Sequence, residues 1–302
     1  MKMDILATIR SDNSPRVKAR SENQVKPKNA GLNSQESVDE TKERVHIATM
    51  PVLGSVPHLN ARPLLEGLEK ATGSVIHFDS PVQLHEKVLS GKIQIALLPV
   101  ISYLENRDLK LVPGTGIVSH GEVKSVKVFH EKSGVDLANT QSIYLDPSSK
   151  TSQRLLKVLL VKKYNRKLDE ILWTDRPDYA ESVLSIGDHA LANSHFGNST
   201  DLGLEWQKLT GLPFVYACWM SQIPIPQELL AKLHNAKMTG LQSIDEIAAR
   251  QTVVPHEDAV HYLTHHIQYH IEGPELVGMK MFFDWVVELE NQGYDTSLRF
   301  VA

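Results

Sequence analysis

From residue 45 onward the chain alternates short apolar runs with amphipathic stretches, and this alternation sets most of what the sequence predicts. Val45-His-Ile-Ala-Thr-Met reads as a first strand. A helix from Arg62 or Pro63 to Lys70 follows, because Leu64, Leu65 and Leu68 share a face and proline suits a first helical turn. The strand Ser74-Val-Ile-His-Phe-Asp, a helix over 81–89 ended by Gly91, and a strand over 93–100 complete a β-α-β-α-β run. Such alternation implies right-handed crossovers and a parallel sheet covered on both faces.

Two extended segments, 111–119 and 125–129, come next, split by His120 and Gly121, and read as a hairpin or a bridge. The alternation then restarts with a strand over 142–146, a helix over 152–164, a strand over 170–174, a helix over 179–184 and a strand-like run over 185–192. One more apolar strand spans 214–220. Four helices finish the chain, over 226–237, 243–250, 256–271 and 274–292. The pattern predicts an α/β protein with the two-lobed type II periplasmic-binding-protein-like fold, its ligand cleft lying between the lobes. The expected divisions are a disordered tail over 1–44, a first lobe over 45–130 completed by 225–302, and a second lobe over 131–224. A single doubly wound sheet of Rossmann type is the alternative, and Gly54 alone, without a G-x-G-x-x-G, counts against it.

Composition narrows the picture. The 302 residues are 41% hydrophobic and 23% charged, as in ordinary globular proteins. Residues 10–44 carry no aromatic side chain and are rich in Ser, Asn, Lys, Glu and Gln, so they cannot offset the entropy of ordering. No run approaches the roughly 20 apolar residues of a membrane span, and the apolar stretch over 5–9 is too short for a signal peptide. A cytoplasmic protein without a membrane partner is expected. The formal charge of -4 gives no basic field for nucleic acid. Cys218 is the only cysteine, which excludes an intramolecular disulfide and suits a reducing compartment. Its apolar neighbours favour a buried thiol over a nucleophile.

Four polar clusters fall at predicted strand ends or helix starts, where an open α/β sheet exposes backbone donors. In Ser55-Val-Pro-His-Leu-Asn-Ala-Arg-Pro-Leu, Asn60 either caps the next helix or lines the cleft. Ser102, after Leu98-Pro-Val-Ile, carries the same two readings. Asp146-Pro-Ser-Ser-Lys-Thr-Ser gathers hydroxyls at a helix start that suits a carboxylate or phosphate, with Thr151 and Ser152 as the contacts. Asp188, in Ser185-Ile-Gly-Asp-His-Ala-Leu, is either a turn former or a site residue. The histidines at 256, 261, 265, 266 and 270 contain i, i+4 pairs that point in different directions, with no acidic third ligand, and read as a half-buried helix rather than a metal site.

Taken in order, several blocks resemble the chorismate dehydratases of the futalosine route to menaquinone: Leu59-Asn-Ala-Arg-Pro-Leu, Leu98-Pro-Val-Ile-Ser-Tyr, Val112-Pro-Gly with Ser119 and Ser125-Val, Leu145-Asp with Thr151-Ser152, Ile186-Gly-Asp-His-Ala-Leu, and Asp201-Leu-Gly-Leu-Glu-Trp. The resemblance implies catalytic roles for Asn60 and Ser102, substrate contacts at His58, Arg62, Ser119, Thr151, Ser152 and Asp188, and no cofactor or metal. His58 stands where the family usually has Tyr, and Ile101 where it has a second Ser. The implied reaction removes water from chorismate to give 3-[(1-carboxyvinyl)oxy]benzoate. Asn60, Ser102, Thr151 and Ser152 are neutral, so the expected base is a carboxylate of the substrate, with His58 as the rival. The alternatives are a non-catalytic solute receptor on the same fold and the sibling enzyme of the route that cleaves a cyclised futalosine derivative.

Overall fold

Short apolar strands and the helices between them build two five-stranded sheets, seen in a computed structural model that describes residues 51–195 and 197–301. The strand expected over 45–50 and the tail over 1–44 lie outside the described residues. The first described strand is β1 (Leu53–Ser55), followed by a 3-10 turn, Leu59–Leu64, and the short helix α1 (Leu68–Thr72). The single helix expected over 62–70 is thus broken in two. Gly67 supplies the break, with a left-handed φ of 71°. β2 (Ile76–Phe78), α2 (Pro81–Leu89), β3 (Ile95–Pro99) and α3 (Val100–Glu105) follow the expected alternation.

β4 (Lys110–Ser119) and β5 (Val126–His130) are two separate strands, and they belong to different sheets. The second lobe continues through β6 (Ser142–Tyr144), α4 (Lys150–Lys162), β7 (Leu172–Thr174), β8 (Ser182–Ile186), α5 (Gly187–Ala192), β9 (Ser199–Asp201) and α6 (Leu202–Thr210). β10 (Phe214–Ser221) returns to the first sheet. It is followed by α7 (Gln227–Gln242), α8 (Ile244–Ala249), α9 (His256–His261), a π turn at Tyr262–His266 and α10 (Gly273–Glu290).

The order of the first sheet is β2-β1-β3-β10-β4 and that of the second is β7-β6-β8-β5-β9. Both are mixed rather than parallel. β10 runs antiparallel to β3 and β4, and β5 antiparallel to β8 and β9, because each strand has crossed from the other lobe and enters its sheet from the opposite end. The crossings fall at 120–125 and 202–213, so β5, expected in the first lobe, lies in the second sheet, and β10, expected in the second lobe, lies in the first.

Two element expectations are overturned in the second lobe. Residues 182–184, expected to end a helix, join 185–186 in a strand, since Ser-Val-Leu-Ser-Ile pairs at the sheet centre between β6 and β5. Residues 187–192 form α5, not a strand. Gly187, at a φ of 63°, makes the turn from β8 into it. The helix expected over 256–271 stops at the π turn, after which Ile267 is extended.

An aromatic cluster seals the side of the molecule where the chain returns. Trp206 of α6 meets Phe214 of β10 and Phe282 and Trp285 of α10 at centroid distances of 5.2, 6.2 and 5.5 Å. The same helix α10 reaches α4 of the second lobe, where the Arg154 guanidinium is shared by Glu290 at 2.7 Å and Glu105 at 2.9 Å. No helix among the described residues is long and apolar enough to cross a membrane.

Candidate functional site

The chain segments that end β1 and β3 face the helix starts of α4 and α5 across a cleft between the lobes. Val56, His58, Asn60, Pro99 and Tyr216 line it from the first lobe; Ser125, Ser149, Thr151, Ser152 and Gly187 line it from the second. The cleft holds about 80 Å3 of free space. Small-molecule sites typically offer roughly 300–1,000 Å3, so the lobes lie close together across the cleft in this structure.

Direct bonds hold that closure. The backbone N–H of Leu59 donates to Asp188 Oδ1 at 2.9 Å, and that of Ile101 to Thr151 Oγ1 at 3.4 Å, each joining the first lobe to the second. His58 Nδ1 lies 4.0 Å from Asp188 Oδ1, and its ring rests on Gly187 so closely that a Cβ there would stand 2.8 Å from His58 Cε1. Glycine is required at 187 on both counts, the positive φ and the ring above it.

Asn60 is not a helix cap. It sits inside the 3-10 turn, whose preceding residue His58 makes no side-chain cap. The Asn60 Oδ1 is buried without a partner, and the Asn60 side chain faces the Tyr262 hydroxyl. An unpartnered buried acceptor costs free energy, about 1–3 kcal/mol, unless a ligand donor meets it. Ser102 is likewise no cap: it is the third residue of α3, and Pro99 precedes that helix. It lies in a second hollow beside the cleft with His85, Glu105 and Lys150, sharing the Pro81 and Pro99 walls.

The second-lobe wall is built on the start of α4. Ser149 caps it, its Oγ accepting from the Ser152 N–H at 3.2 Å and donating to Ser152 Oγ at 2.8 Å. Thr151 and Ser152 therefore present hydroxyls at a helix N-terminus, which favours an anion. No Asp, Glu, Lys or Arg side chain lines the cleft. A carboxylate bound there would be held by hydroxyls, amides and the helix end rather than by an ion pair.

Three expected contacts fall elsewhere. Arg62 is exposed and lines a separate hollow of about 480 Å3 on the outer face of the first lobe, with Lys70 and Arg250, because the 3-10 turn carries Asn60 inward and turns Arg62 away. Ser119 stands behind the cleft wall, its Oγ 3.1 Å from both the Gly121 carbonyl oxygen and the Tyr216 hydroxyl. Asp188 holds the lobes together. Cys218 is buried and its thiol is pushed up to about 12, which fits the apolar-packing reading and not a nucleophile. Among the described residues no group of three or more His, Cys, Asp or Glu is placed to hold a metal. His261 and His265 simply stack, at 4.5 Å.

Sequence reasoning missed Ser125, Ser149, Gly187 and Tyr216 as cleft residues. Ser125 and Gly187 stood inside blocks singled out for other positions, whereas Tyr216, in an apolar strand, gave no signal of its own.

The fold and the sequence both have known counterparts. The E. coli periplasmic aliphatic sulphonate binding protein SsuA superposes with a TM-score of 0.62 at 16% identity, over 83% of this chain and 92% of its own. A protein of Archaeoglobus fulgidus does so with a TM-score of 0.61 at 12% identity, over 80% of this chain and 97% of its own. At such identities the likeness is one of fold, and the fold is that of the periplasmic binding proteins. In sequence, a protein of Thermus thermophilus named chorismate dehydratase is 31% identical in an alignment of 260 residues that covers 76% of this chain and 93% of that protein. With the family model described as menaquinone biosynthesis matching residues 51–288 as well, the chain belongs to the menaquinone-biosynthesis family.

Proposed function

We propose that the protein is a chorismate dehydratase, a carbon–oxygen lyase that converts chorismate to 3-[(1-carboxyvinyl)oxy]benzoate and water in the cytoplasm. The observation that carries this reading is the 31% identity to the Thermus thermophilus chorismate dehydratase across 93% of that protein. The cleft supports it chemically, being closed, almost uncharged and lined by hydroxyls and one amide.

The reaction takes the ring hydrogen on the carbon bearing the enolpyruvyl ether and the hydroxyl on the neighbouring carbon. The ring proton passes to a base while the C–H electron pair becomes part of the aromatic ring, the C–O bond breaks, and the protonated base returns that proton to the departing hydroxide as water. Aromatisation drives the step, so the protein needs chiefly to orient the two leaving groups and to stabilise the developing charge. The side-chain amide of Asn60 and the serine and threonine hydroxyls of the cleft are poor bases near neutral pH. In this reading the enolpyruvyl carboxylate takes the proton, with Asn60 Oδ1 accepting from the ring hydroxyl and the α4 start holding the other carboxylate. Ser102 acts from the adjoining hollow, which the substrate reaches when the lobes part and close again.

Kinetics on chorismate test the site. Asn60→Ala is expected to lower kcat/KM by about 100-fold or more and Ser102→Ala by about tenfold, measured from the absorbance of the aromatic product. Near-normal kcat/KM in both variants would overturn the assignment.

A further inference from the structure

The π turn at Tyr262–His266 belongs to no part of the cleft, yet it delivers one side chain to its back wall. Tyr262 is buried, and its hydroxyl donates to Ser125 Oγ at 2.8 Å, 137 residues away in the chain, while meeting the Asn60 side chain on its other side. The two partners come from opposite lobes, and both line the cleft. The turn itself is anchored at its C-terminal end. His266 Nδ1 lies 2.9 Å from the Glu122 carbonyl oxygen, and Gln268 pairs with Val118 through bonds of 2.8 and 2.9 Å. π turns recur at functional sites because the extra residue per turn re-aims a side chain.

Donor and acceptor roles follow from the chemistry of the three groups. A phenol has one proton, and here it goes to Ser125 Oγ. The Tyr262 oxygen is then an acceptor, and only the NH2 end of Asn60 can donate to it. That leaves the Asn60 Oδ1 as the end turned away from tyrosine, which is the atom found buried and unpartnered. The Ser125 hydroxyl, already accepting from Tyr262, has its own proton free for the cleft. The chain of bonds therefore has one direction: ligand hydroxyl to Asn60, Asn60 to Tyr262, Tyr262 to Ser125, Ser125 to a ligand anion.

The geometry points to Tyr262 as a positioning residue that fixes the Asn60 amide and the Ser125 hydroxyl in one sense, so that the closed cleft offers an acceptor to the substrate hydroxyl and, from Ser125, a donor to a substrate carboxylate. The naming of those substrate groups rests on the chorismate reading; the orientation of Asn60 and Ser125 does not. Phenylalanine at 262 keeps the ring and its packing but removes the relay, leaving both amide orientations open to Asn60.

The test pairs kinetics with a direct view of the amide. In protein labelled with [15N]asparagine, the Asn60 side-chain pair is assigned by its loss in Asn60→Ala. In Tyr262→Phe it is expected to shift and its protons to exchange faster with solvent, while circular dichroism stays that of the wild type. With chorismate, Tyr262→Phe is expected to lose about tenfold in kcat with KM within about threefold, and Ser125→Ala to raise KM. Ser125→Ala also frees the phenolic proton and should move the same amide signals, which keeps the test open if Tyr262→Phe folds poorly. Unchanged Asn60 amide signals in the folded variants would overturn the proposal. Wild-type protein inert to chorismate would instead remove the dehydratase reading, and the amide signals would still decide the role of Tyr262.

Discussion

At the scale of single residues, the segment 55–64 shows what a sequence can and cannot tell. Asn60 was legible as a candidate because an amide just before a helix at a strand end has few uses. Its choice between cap and cleft was not, since that depends on Tyr262, two hundred residues on, whose hydroxyl faces the Asn60 side chain. His58 carries a sharper question. It lines the cleft and is the rival to the substrate carboxylate as base. His58→Phe is expected to keep turnover within about tenfold of wild type, the range of a lost contact rather than a lost base. Abolished turnover with chorismate binding intact, read by calorimetry and product formation, would make His58 the base. Gly187 beneath the ring is a stricter requirement. Gly187→Ala combines a left-handed φ with a Cβ 2.8 Å from the imidazole, and should cost about 1–2 kcal/mol of stability in urea unfolding and raise KM by displacing His58. An unchanged urea midpoint and KM would show that the cleft absorbs the methyl group.

At the scale of elements, pairing between distant strands overrode local spacing. Residues 179–184 satisfied a helical spacing, but the pairing of 182–186 between two strands decided the outcome, and that pairing is not local. Strands β5, β8 and β9 are also joined by a buried polar seam. His130 Nδ1 lies 2.7 Å from Ser182 Oγ and Nε2 2.8 Å from Thr200 Oγ1, and burial lowers the imidazole to about 4 from an ordinary value near 6.5. The sign follows: the unfolded chain takes up this proton below about pH 6.5, while the folded one resists it to about pH 4, so stability falls as pH drops through that window. The contribution is on the order of 3 kcal/mol. Urea unfolding at pH 7 and pH 4.5 should show this loss in the wild type and a smaller one in His130→Gln. Equal pH dependence in the two would rule His130 out as its source.

At the scale of the whole molecule, two α/β lobes with a C-terminal helical layer were readable from alternation alone. The exchange of β5 and β10 between lobes was not, since nothing in an apolar strand states which sheet it will join. That exchange creates the two crossing segments, 120–125 and 202–213, about which the lobes can move. Buried Asp201 ties one to the other, accepting from the Val123, Lys124 and Leu204 N–H groups at 3.1, 2.8 and 3.1 Å. Asp188 acts at the opposite side as the closure contact through the Leu59 N–H. Asp188→Ala is expected to shift the free protein toward an open state, seen as a larger radius of gyration in X-ray scattering, and to raise KM about tenfold with a smaller change in kcat. An unaltered radius and KM would mean that other interlobe contacts suffice.

The cleft, its closure and the orientation of Asn60 all serve one claim, that this chain removes water from chorismate. The most direct measurement is to incubate the purified protein with chorismate and follow substrate and product by mass spectrometry, beside Asn60→Ala. Conversion to a product lighter by one water and carrying the absorbance of a benzoate is expected in the wild type, and little or none in the variant. Chorismate bound and recovered unchanged would contradict it and leave a binding protein in its place.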